Sequence, residues 1–511
     1  MLARKSRKGG NGQEDREMFG KKSAVVLALA VALTQTAAAQ DAKTVISNAS
    51  KAMGVEGLNS IHYYGVAQNG SLGQNNNANQ PWPMVNANDY VRAIDFTQPA
   101  SRATWVTYAV PVTGGAATQG QGQQNITKET TAWAQQLEIW ITPWGFLKGA
   151  AANNATLQAQ TVGGKRYQVL TFNSPIKSPG GQPYRVVGYV NSDNLVERVQ
   201  TWLENPIFGD MLVEAEYTHY RDGANGLKFP AQIVQKRGGW PTFNAYILGA
   251  HPNPANIKEL LTPPAAGGRG GAGGGAPGGA PGGGQAQAPA SEKLAEGVFR
   301  ITGAYNALAV EFADHILLYE PGPQNEMRAQ QIIAETKRVI PNKPIRYGVI
   351  SHHHFDHTSG LPAVVAEGIT IVTPEVNRAF LMNALSQPRT LAPDSMSKSG
   401  KKPQIEGFKG DKRVFQDATR TFEVHVIKAL PHADGLVVGY LPKEKILVYA
   451  DMFNLPPANN PVPNPPVVGT MVFLDNIERL KLDVDRILSV HTLNPDRLTS
   501  VADIRASLGR K

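Results

Sequence analysis

Four side chains that can bind a metal ion stand within six residues of one segment, 351–360, which reads SHHHFDHTSG. They form the pattern H-x-H-x-D-H and are His352, His354, Asp356 and His357. Neutral imidazole suits zinc, and a carboxylate beside imidazoles suits zinc, iron or manganese. The alternative is a polar loop whose histidines bind no metal, but so dense a ligand set favours a metal site.

The residues before this pattern indicate how the side chains are positioned. Residues 345–351 (IRYGVIS) are apolar and β-branched, which predicts a buried strand. Positions i and i+2 of a strand face the same side, so His352 and His354 are expected to bind one ion together. His353 is expected to point away from that ion. Asp356 and His357 are expected to turn toward a second ion.

The motif resembles the first metal-binding segment of the metallo-β-lactamase superfamily of metal-dependent hydrolases. This resemblance covers about residues 294–508 and implies three further ligands, each close to an apolar run. They are His432 in ALPHADG (429–435), Asp451 after ILVYA (446–450) and His491 after ILSV (487–490). Each is weak evidence alone, and their order after the motif makes them stronger together.

The resemblance implies a dinuclear centre, with two zinc ions expected and iron or manganese as alternatives. The first ion would take His352, His354 and His432, the second would take Asp356, His357 and His491, and Asp451 would bridge them. In such centres a hydroxide held between two cations attacks the substrate. The expected catalytic residue is Asp356, which would also orient that hydroxide. The implied reaction is hydrolysis of an ester, lactone, amide or thioester bond in a small-molecule substrate.

Strands that alternate with helices are predicted through this region. Residues 325–339 and 375–385 are helix-like, and residues 369–374 are strand-like. The resemblance implies an αββα sandwich with the site at one edge of its two sheets. One departure is Glu320, which stands where the superfamily often has Asp, and this puts the local loop geometry in doubt.

Two other functions remain open at this point: a β-lactamase, and a non-catalytic binding or redox-accessory protein that uses the fold as a scaffold. The chain has no cysteine, which excludes a cysteine metal ligand, disulfides and a lipid-modified cysteine anchor. With a carboxylate at Asp451, the site is more similar to the glyoxalase II, lactonase and general hydrolase branches than to dedicated β-lactamases.

The N-terminus is typical of an exported protein. Residues 1–39 predict a signal peptide, with Lys21 and Lys22 before a short apolar run and a cleavage site after Ala39. Met18 is a possible true start. The apolar run of 11 residues, 23–33, is too short for a stable membrane span. The periplasm or secretion is therefore expected, which argues against a cytosolic glutathione thioester as substrate.

The charge of the chain argues against nucleic acid as a partner. The net charge is +9, and the predicted signal peptide carries seven basic and three acidic residues, which leaves about +5 on the mature chain. No basic stripe with interleaved aromatic residues stands out.

The length of 511 residues and one low-complexity tract predict two domains. Residues 262–291, rich in Gly, Pro and Ala, are expected to be a linker between a β-rich accessory domain (41–261) and the hydrolase domain (292–511). The predicted fold class is therefore α+β: the αββα sandwich plus an N-terminal antiparallel β-rich domain.

The accessory domain faintly resembles the β domains of periplasmic lipoprotein carriers. It shows hairpin-like segments and one helix-like stretch, 132–152. Its expected role is either binding of a partner or an apolar ligand, or packing alone. Its scattered histidines are assigned no metal. They are His62, His219 and His251.

Specificity in enzymes of this kind is expected in loops over the cleft. Two candidate loops are residues 387–411 and the proline-rich residues 455–466, which closely follow Asp451.

Overall fold

The computed structural model describes residues 42–109, 118–263, 290–456 and 460–510. The predicted signal peptide (1–39), nearly all of the predicted linker (262–291) and a short part of the proline-rich loop lie outside these described residues. No helix within the described ranges is long and apolar enough to cross a membrane.

The N-terminal region is built on one antiparallel sheet of eleven strands, in the order β4-β3-β2-β1-β11-β10-β9-β8-β7-β6-β5. The strands are β1 (Ser60–Gly70), β2 (Met84–Asp95), β3 (Ala100–Ala109), β4 (Thr118–Ile126), β5 (Thr156–Val162), β6 (Lys165–Lys177), β7 (Pro183–Val190), β8 (Val196–Asn205), β9 (Gly209–Asp222), β10 (Lys228–Arg237) and β11 (Trp240–Pro252). The first and last strands in the chain, β1 and β11, pair within the sheet, where His62 stacks on His251 at 5.9 Å.

The helices of this region are α1 (residues 42–52), α2 (Trp133–Trp140), α3 (Pro143–Ala152) and α4 (Ile257–Leu261). The first three contribute buried apolar side chains to the core on the sheet. The single helix-like stretch predicted over 132–152 is in fact two helices. Pro143 begins the second helix and disfavours helical backbone at Thr142, which instead caps that helix by accepting a hydrogen bond from the N–H of Gly145.

The C-terminal region contains a seven-stranded sheet, in chain order from β12 to β18, and a five-stranded sheet from β19 to β23. The strands are β12 (Ala290–Ala295), β13 (Val298–Thr302), β14 (Ala307–Glu311), β15 (Ile316–Tyr319), β16 (Ile345–Val349), β17 (Thr370–Pro374), β18 (Ile405–Phe408), β19 (Lys412–Gln416), β20 (Thr421–Val426), β21 (Val437–Leu441), β22 (Ile446–Tyr449) and β23 (Arg486–Ser489). The strands from β15 to β18 are parallel, as are β22 and β23.

Three apolar layers show how the two sheets and their helices stack. The helices are α5 (Glu326–Val339), α6 (Phe355–Thr358), α7 (Leu361–Glu367), α8 (Glu375–Leu385), α9 (Ser395–Ser399), α10 (Val468–Arg479) and α11 (Val501–Ser507). One core lies between the sheets, a second lies under α5, α7 and α8, and a third lies under α10 and α11. The α+β fold class with an αββα sandwich is confirmed, and the predicted helices 325–339 and 375–385 are present as α5 and α8.

The two regions share one of these cores. Trp82 and Phe208 of the N-terminal region belong to the same buried cluster as side chains from α5, α7 and α8. Phe208 makes edge contacts with Phe355 and Phe380, with ring centroids 5.7 Å apart in both pairs. The N-terminal sheet is therefore fixed directly beside the motif that carries the predicted metal ligands.

A loop of the C-terminal region completes this interface. Arg389 donates to the carbonyls of Pro206 and Ile207 at 2.9 and 2.6 Å, and the carboxylate of Asp210 accepts from the backbone N–H groups of Thr390 and Leu391. Arg389, Thr390 and Leu391 lie within residues 387–411, which the sequence predicts to be a loop over the cleft. The structure instead places this part of the loop against the N-terminal region.

Candidate metal centre

The seven predicted ligands lie in four segments that each follow a strand of the C-terminal sandwich, and two of them, Asp356 and His357, lie in the short helix α6. The motif follows β16, and His432 lies beyond β20. Asp451 and His491 follow the parallel neighbours β22 and β23, in which Tyr449 pairs with Ser489. Because both residues stand two positions beyond paired residues, they leave the sheet side by side.

The strand that carries the motif is shorter than predicted. It ends at Val349, so His352 and His354 lie in the loop and not at a strand end. The backbone N–H of Ser351 donates at 2.5 Å to the buried carboxylate of Glu320, a bond made outside the sheet ladder. The strand thus ends before the histidines, and the loop, not strand alternation, orients them.

A first cluster contains three imidazoles. The nitrogen atoms that His352, His354 and His432 offer lie within 4.8 Å of one another. The Nε2 atoms of His352 and His432 are 3.3 Å apart. His352 and His354 are buried, and His432 is half-buried, so this cluster is open to solvent on one side.

A second cluster contains two carboxylates and two imidazoles. The ligand atoms of Asp356, His357, Asp451 and His491 again lie within 4.8 Å of one another. The Nε2 atom of His357 is 3.3 Å from Asp356 Oδ2. The Nε2 atom of His491 is 2.6 Å from Asp451 Oδ1.

Asp451 connects the two clusters. Its Oδ2 atom is 3.2 Å from His352 Nε2 and 3.3 Å from His432 Nε2 in the first cluster. The same atom is 3.0 Å from His357 Nε2, while Oδ1 approaches His491. Its backbone has a φ of 60°, a left-handed conformation that Asp tolerates better than most residues. The carboxylate thus faces both clusters, as a bridging ligand must.

Residues behind the ligands fix the orientation of the imidazole rings. Glu320 Oε2 lies 2.8 Å from His357 Nδ1, and both side chains are fully buried. A carboxylate can only accept, so Nδ1 carries the proton and Nε2 faces the second cluster. Tyr305 donates its hydroxyl to Asp356 Oδ2 at 3.1 Å and packs on His491 with ring centroids 4.4 Å apart.

The protonation states suit ligands of a cation. Burial lowers the pKa of His352 to about 3, and burial together with the neighbouring His352 lowers the pKa of His354. Both rings are therefore neutral and can offer a lone pair. Burial by itself would raise the pKa of Asp356. The positive charge of His357 outweighs burial, so the pKa lies well below its ordinary value and the carboxylate stays ionised.

His357 behaves differently in the metal-free protein. Burial by itself lowers its pKa, but the carboxylates of Asp451 and Glu320 raise it well above the ordinary value. An imidazolium thus balances the negative charge around it. A cation bound at the second cluster would take over that role and would require the proton to leave Nε2.

The donor set fits two metal ions. Within the described part of the chain, His354 Nδ1 is buried without a hydrogen-bond partner, and the buried Nε2 atoms of His357 and His491 face the carboxylates of their own cluster. Buried polar atoms are normally satisfied, and cations would satisfy these. Imidazole and carboxylate ligands suit zinc, iron or manganese, and the seven residues together offer enough ligands for two ions.

All seven predicted ligands are thus brought together, and the catalytic role of Asp356 stays a prediction. His353 is outside both clusters, and neither cluster includes a histidine of the N-terminal sheet. The sequence interpretation missed Tyr305 and Gln74, both of which hydrogen-bond to Asp356. Neither stands in a recognisable motif, so only the fold reveals them.

The comparison with known families agrees with this geometry. Residues 300–489 match the family described as Metallo-beta-lactamase superfamily. This part of the chain is a metallo-β-lactamase superfamily domain. The match ends two residues before His491 and leaves the N-terminal sheet unassigned, so the resemblance of that sheet to lipoprotein carriers stays a prediction.

Several solved structures are similar to this chain, at low identity. The metallo-β-lactamase from Pontibacter korlensis is 17% identical, with a TM-score of 0.33 over 43% of this chain and 97% of that one. The enzyme from Hirschia baltica is 15% identical, with a TM-score of 0.32 over 44% and 97%. FIM-1 from Pseudomonas aeruginosa is 15% identical, with a TM-score of 0.32 over 43% and 93%. Comparison with curated proteins found no match.

Proposed function

We propose that the protein is an exported dinuclear metallohydrolase that cleaves an ester, lactone, amide or thioester bond in a small molecule. One observation carries the proposal: seven ligand side chains converge in two adjoining clusters, and Asp451 contacts both. Zinc is the expected metal. Two bound cations would supply Lewis acidity and an activated water near neutral pH.

The residues of the chain have distinct parts in this proposal. Asp451 faces both clusters and would hold the two cations in a fixed relation. Asp356 remains ionised, and its Oδ2 atom accepts a hydrogen bond from the hydroxyl of Tyr305. Because Tyr305 is not one of the seven ligands, the orientation of this carboxylate is supported by a residue outside the ligand set. This carboxylate is the group we expect to orient the attacking water. The half-buried faces of His432 and His491 leave the site open for a substrate.

No cysteine or serine nucleophile is part of the proposal. The chain contains no cysteine. Ser351 is fully buried, and its hydroxyl lies 2.9 Å from His352 Nδ1. That contact suits a residue that orients a metal ligand, because the hydroxyl has no route to a substrate.

The proposal is tested with a panel of esters, lactones, amides, thioesters, phosphodiesters and a chromogenic β-lactam, assayed with the zinc-loaded full chain. Turnover of a lactone or thioester that is lost in His354→Ala and retained in His219→Ala supports it. His219 is an exposed histidine of the N-terminal sheet and serves as the matched control. Turnover of the β-lactam alone would favour a β-lactamase. No turnover of any substrate by zinc-loaded protein contradicts the proposal.

Export is supported by the sequence of residues 1–39 alone. N-terminal sequencing of the protein recovered from the periplasm or medium of a bacterial host is expected to begin at Gln40. Recovery of the chain only in the cytoplasm, with residues 1–39 retained, contradicts this part of the proposal.

A further inference from the structure

The loop between β1 and β2, residues 71–83, leaves the N-terminal sheet and lies against the metal-binding motif. Phe355 donates its backbone N–H to the carbonyl of Gly73 at 3.2 Å. Gln74 Nε2 donates to Asp356 Oδ1 at 3.0 Å. The carbonyl of Asn75 accepts from His354 at 3.0 Å. Three consecutive residues of one domain thus contact the motif of the other.

The Asn75 carbonyl determines which nitrogen of His354 faces the first cluster. A carbonyl can only accept a hydrogen bond, so the proton must be on His354 Nε2. The Nδ1 atom then has a free lone pair, and this atom is buried with no hydrogen-bond partner in the described structure. The second lone pair of the same carbonyl accepts from His353 Nε2 at 2.8 Å. The middle histidine of the motif therefore helps to hold the carbonyl in place.

The side chain of Asn75 holds that carbonyl in position. The residue is 1% exposed, and its Nδ2 atom donates to the carbonyls of Asn77 and Gln80 at 2.6 and 3.0 Å. These bonds close a tight turn around the residue. Gly73 allows the turn to approach the motif, because its φ is 80° and a Cβ atom there would lie 2.3 Å from the Phe355 ring.

Gln74 acts on the second cluster. Asp356 has two oxygen atoms, and the amide of Gln74 binds Oδ1 while Oδ2 points to His357 and Tyr305. Without the amide, the hydrogen bond from Tyr305 to Oδ2 would remain, and Oδ1 would lose its donor. Gln74 is exposed, so this bond requires no buried partner for its remaining amide atoms.

The loop is anchored well enough to position these groups. Ala78 and Trp82 are 1% and 2% exposed and belong to the core shared with the metallo-β-lactamase domain. The indole N–H of Trp82 donates to the carbonyl of Arg237 at 2.9 Å, which ties the loop back to the N-terminal sheet. At its tip, Asn77 donates to Asp434 at 3.0 Å, two residues beyond His432.

We propose that the N-terminal domain completes the metal centre from outside the metallo-β-lactamase domain. Gln74 is a positioning residue for Asp356 and acts on the second metal, and Asn75 is a positioning residue for His354 and acts on the first. Groups that hydrogen-bond to metal ligands typically account for a 10- to 100-fold effect on metal affinity. The inference rests on the two metal sites of the proposed function, and not on the identity of the substrate.

The test is a stepwise titration of the metal-free full chain with zinc against a chromophoric chelator, repeated with cobalt, whose visible spectrum reports the geometry of each site. Gln74→Ala is expected to weaken binding at the second cluster about 10- to 100-fold and leave binding at the first cluster unchanged. Asn75→Ala is expected to weaken binding at the first cluster by a similar factor. Gln80→Ala removes an exposed amide of the same loop and is expected to bind both ions as the wild type does.

The outcomes separate this inference from the proposed function. If wild-type protein binds two ions and Gln74→Ala binds both with unchanged affinity and spectrum, the inference is wrong and the proposed function stands. If Gln80→Ala weakens both steps as much as Gln74→Ala does, the loop acts only through general stability and the inference is again wrong. Wild-type protein that binds no metal contradicts the proposed function, and with it the inference. Gln74→Ala decides the matter even if Asn75→Ala does not fold.

Discussion

Glu320 offers a sharp test of how the second metal site is supported. Its carboxylate is fully buried, accepts the N–H of Ser351 at 2.5 Å and lies 2.8 Å from His357 Nδ1. Glu320→Gln preserves the size of the side chain but removes its charge. The amide oxygen can still accept one bond, so we expect the loop to fold. Without the charge, the ring of His357 should be held less firmly, and its Nε2 atom should be a less basic metal ligand.

The size of the effect follows from the role of this contact. Loss of a carboxylate partner behind a metal-binding histidine costs about 10- to 100-fold in metal affinity, or about 1.4–2.8 kcal/mol. At free zinc about 100 times the wild-type dissociation constant, binding at this site stabilises the folded protein by about 2.7 kcal/mol. In Glu320→Gln this stabilisation should fall to between about 1.4 and 0.4 kcal/mol.

The assay is urea unfolding at matched free zinc and in chelator, which gives the zinc-dependent part of the unfolding free energy. A matched control is Glu423→Gln, because Glu423 also lies 2.8 Å from a histidine, His425, but outside the site. The control should retain the wild-type zinc stabilisation. Equal stabilisation in Glu320→Gln and wild type, or an equal loss in the control, would show that Glu320 does not support the second metal site.

Four further predictions concern the shared core, the loop contacts, the predicted catalytic carboxylate and the proton on the second cluster. Trp82→Ala should lower the unfolding free energy by about 3–5 kcal/mol in urea denaturation, because it empties a buried site in the core shared by both domains. Asp210→Ala removes the acceptor for three hydrogen bonds from the 387–411 loop and should cost about 1–3 kcal/mol in the same measurement. Asp356→Ala should reduce kcat by more than about a hundredfold. Loss of a group that only supports a metal ligand already costs up to about a hundredfold, and this variant removes the ligand itself. A wild-type kcat would contradict this prediction. The raised pKa of His357 means that the metal-free site holds a proton which zinc must displace, so zinc affinity should increase with pH, and calorimetry in buffers of different ionisation enthalpy should detect proton release.

The local part of the site could be predicted from the sequence because its ligands are encoded locally. The pattern from His352 to His357 occupies six residues, and the later ligands follow apolar runs that do form strands. Helices α5 and α8 could be predicted for the same reason, because each segment contains its own apolar periodicity and its own boundaries. Even here, strand alternation was the wrong explanation for His352 and His354, because the strand ends at Val349, before both residues.

The contacts between the N-terminal region and the motif could not be predicted in this way. Gln74 and Asp356 are 282 positions apart, and nothing in either segment specifies their contact. The same holds for Arg389, whose loop was expected over the cleft but binds carbonyls 182 and 183 positions away. Such contacts depend on how two folded regions pack together, which local periodicity does not determine.

In the proposed enzyme, the two clusters hold two metal ions that the hydrolysis requires. The most direct measurement is the zinc content of the purified full chain, followed by its hydrolytic activity before and after chelation. We predict two zinc ions per chain, loss of activity on chelation, and recovery of activity when zinc is restored. A chain that binds no zinc, or that hydrolyses its substrate fully after its metal has been removed, would contradict the account.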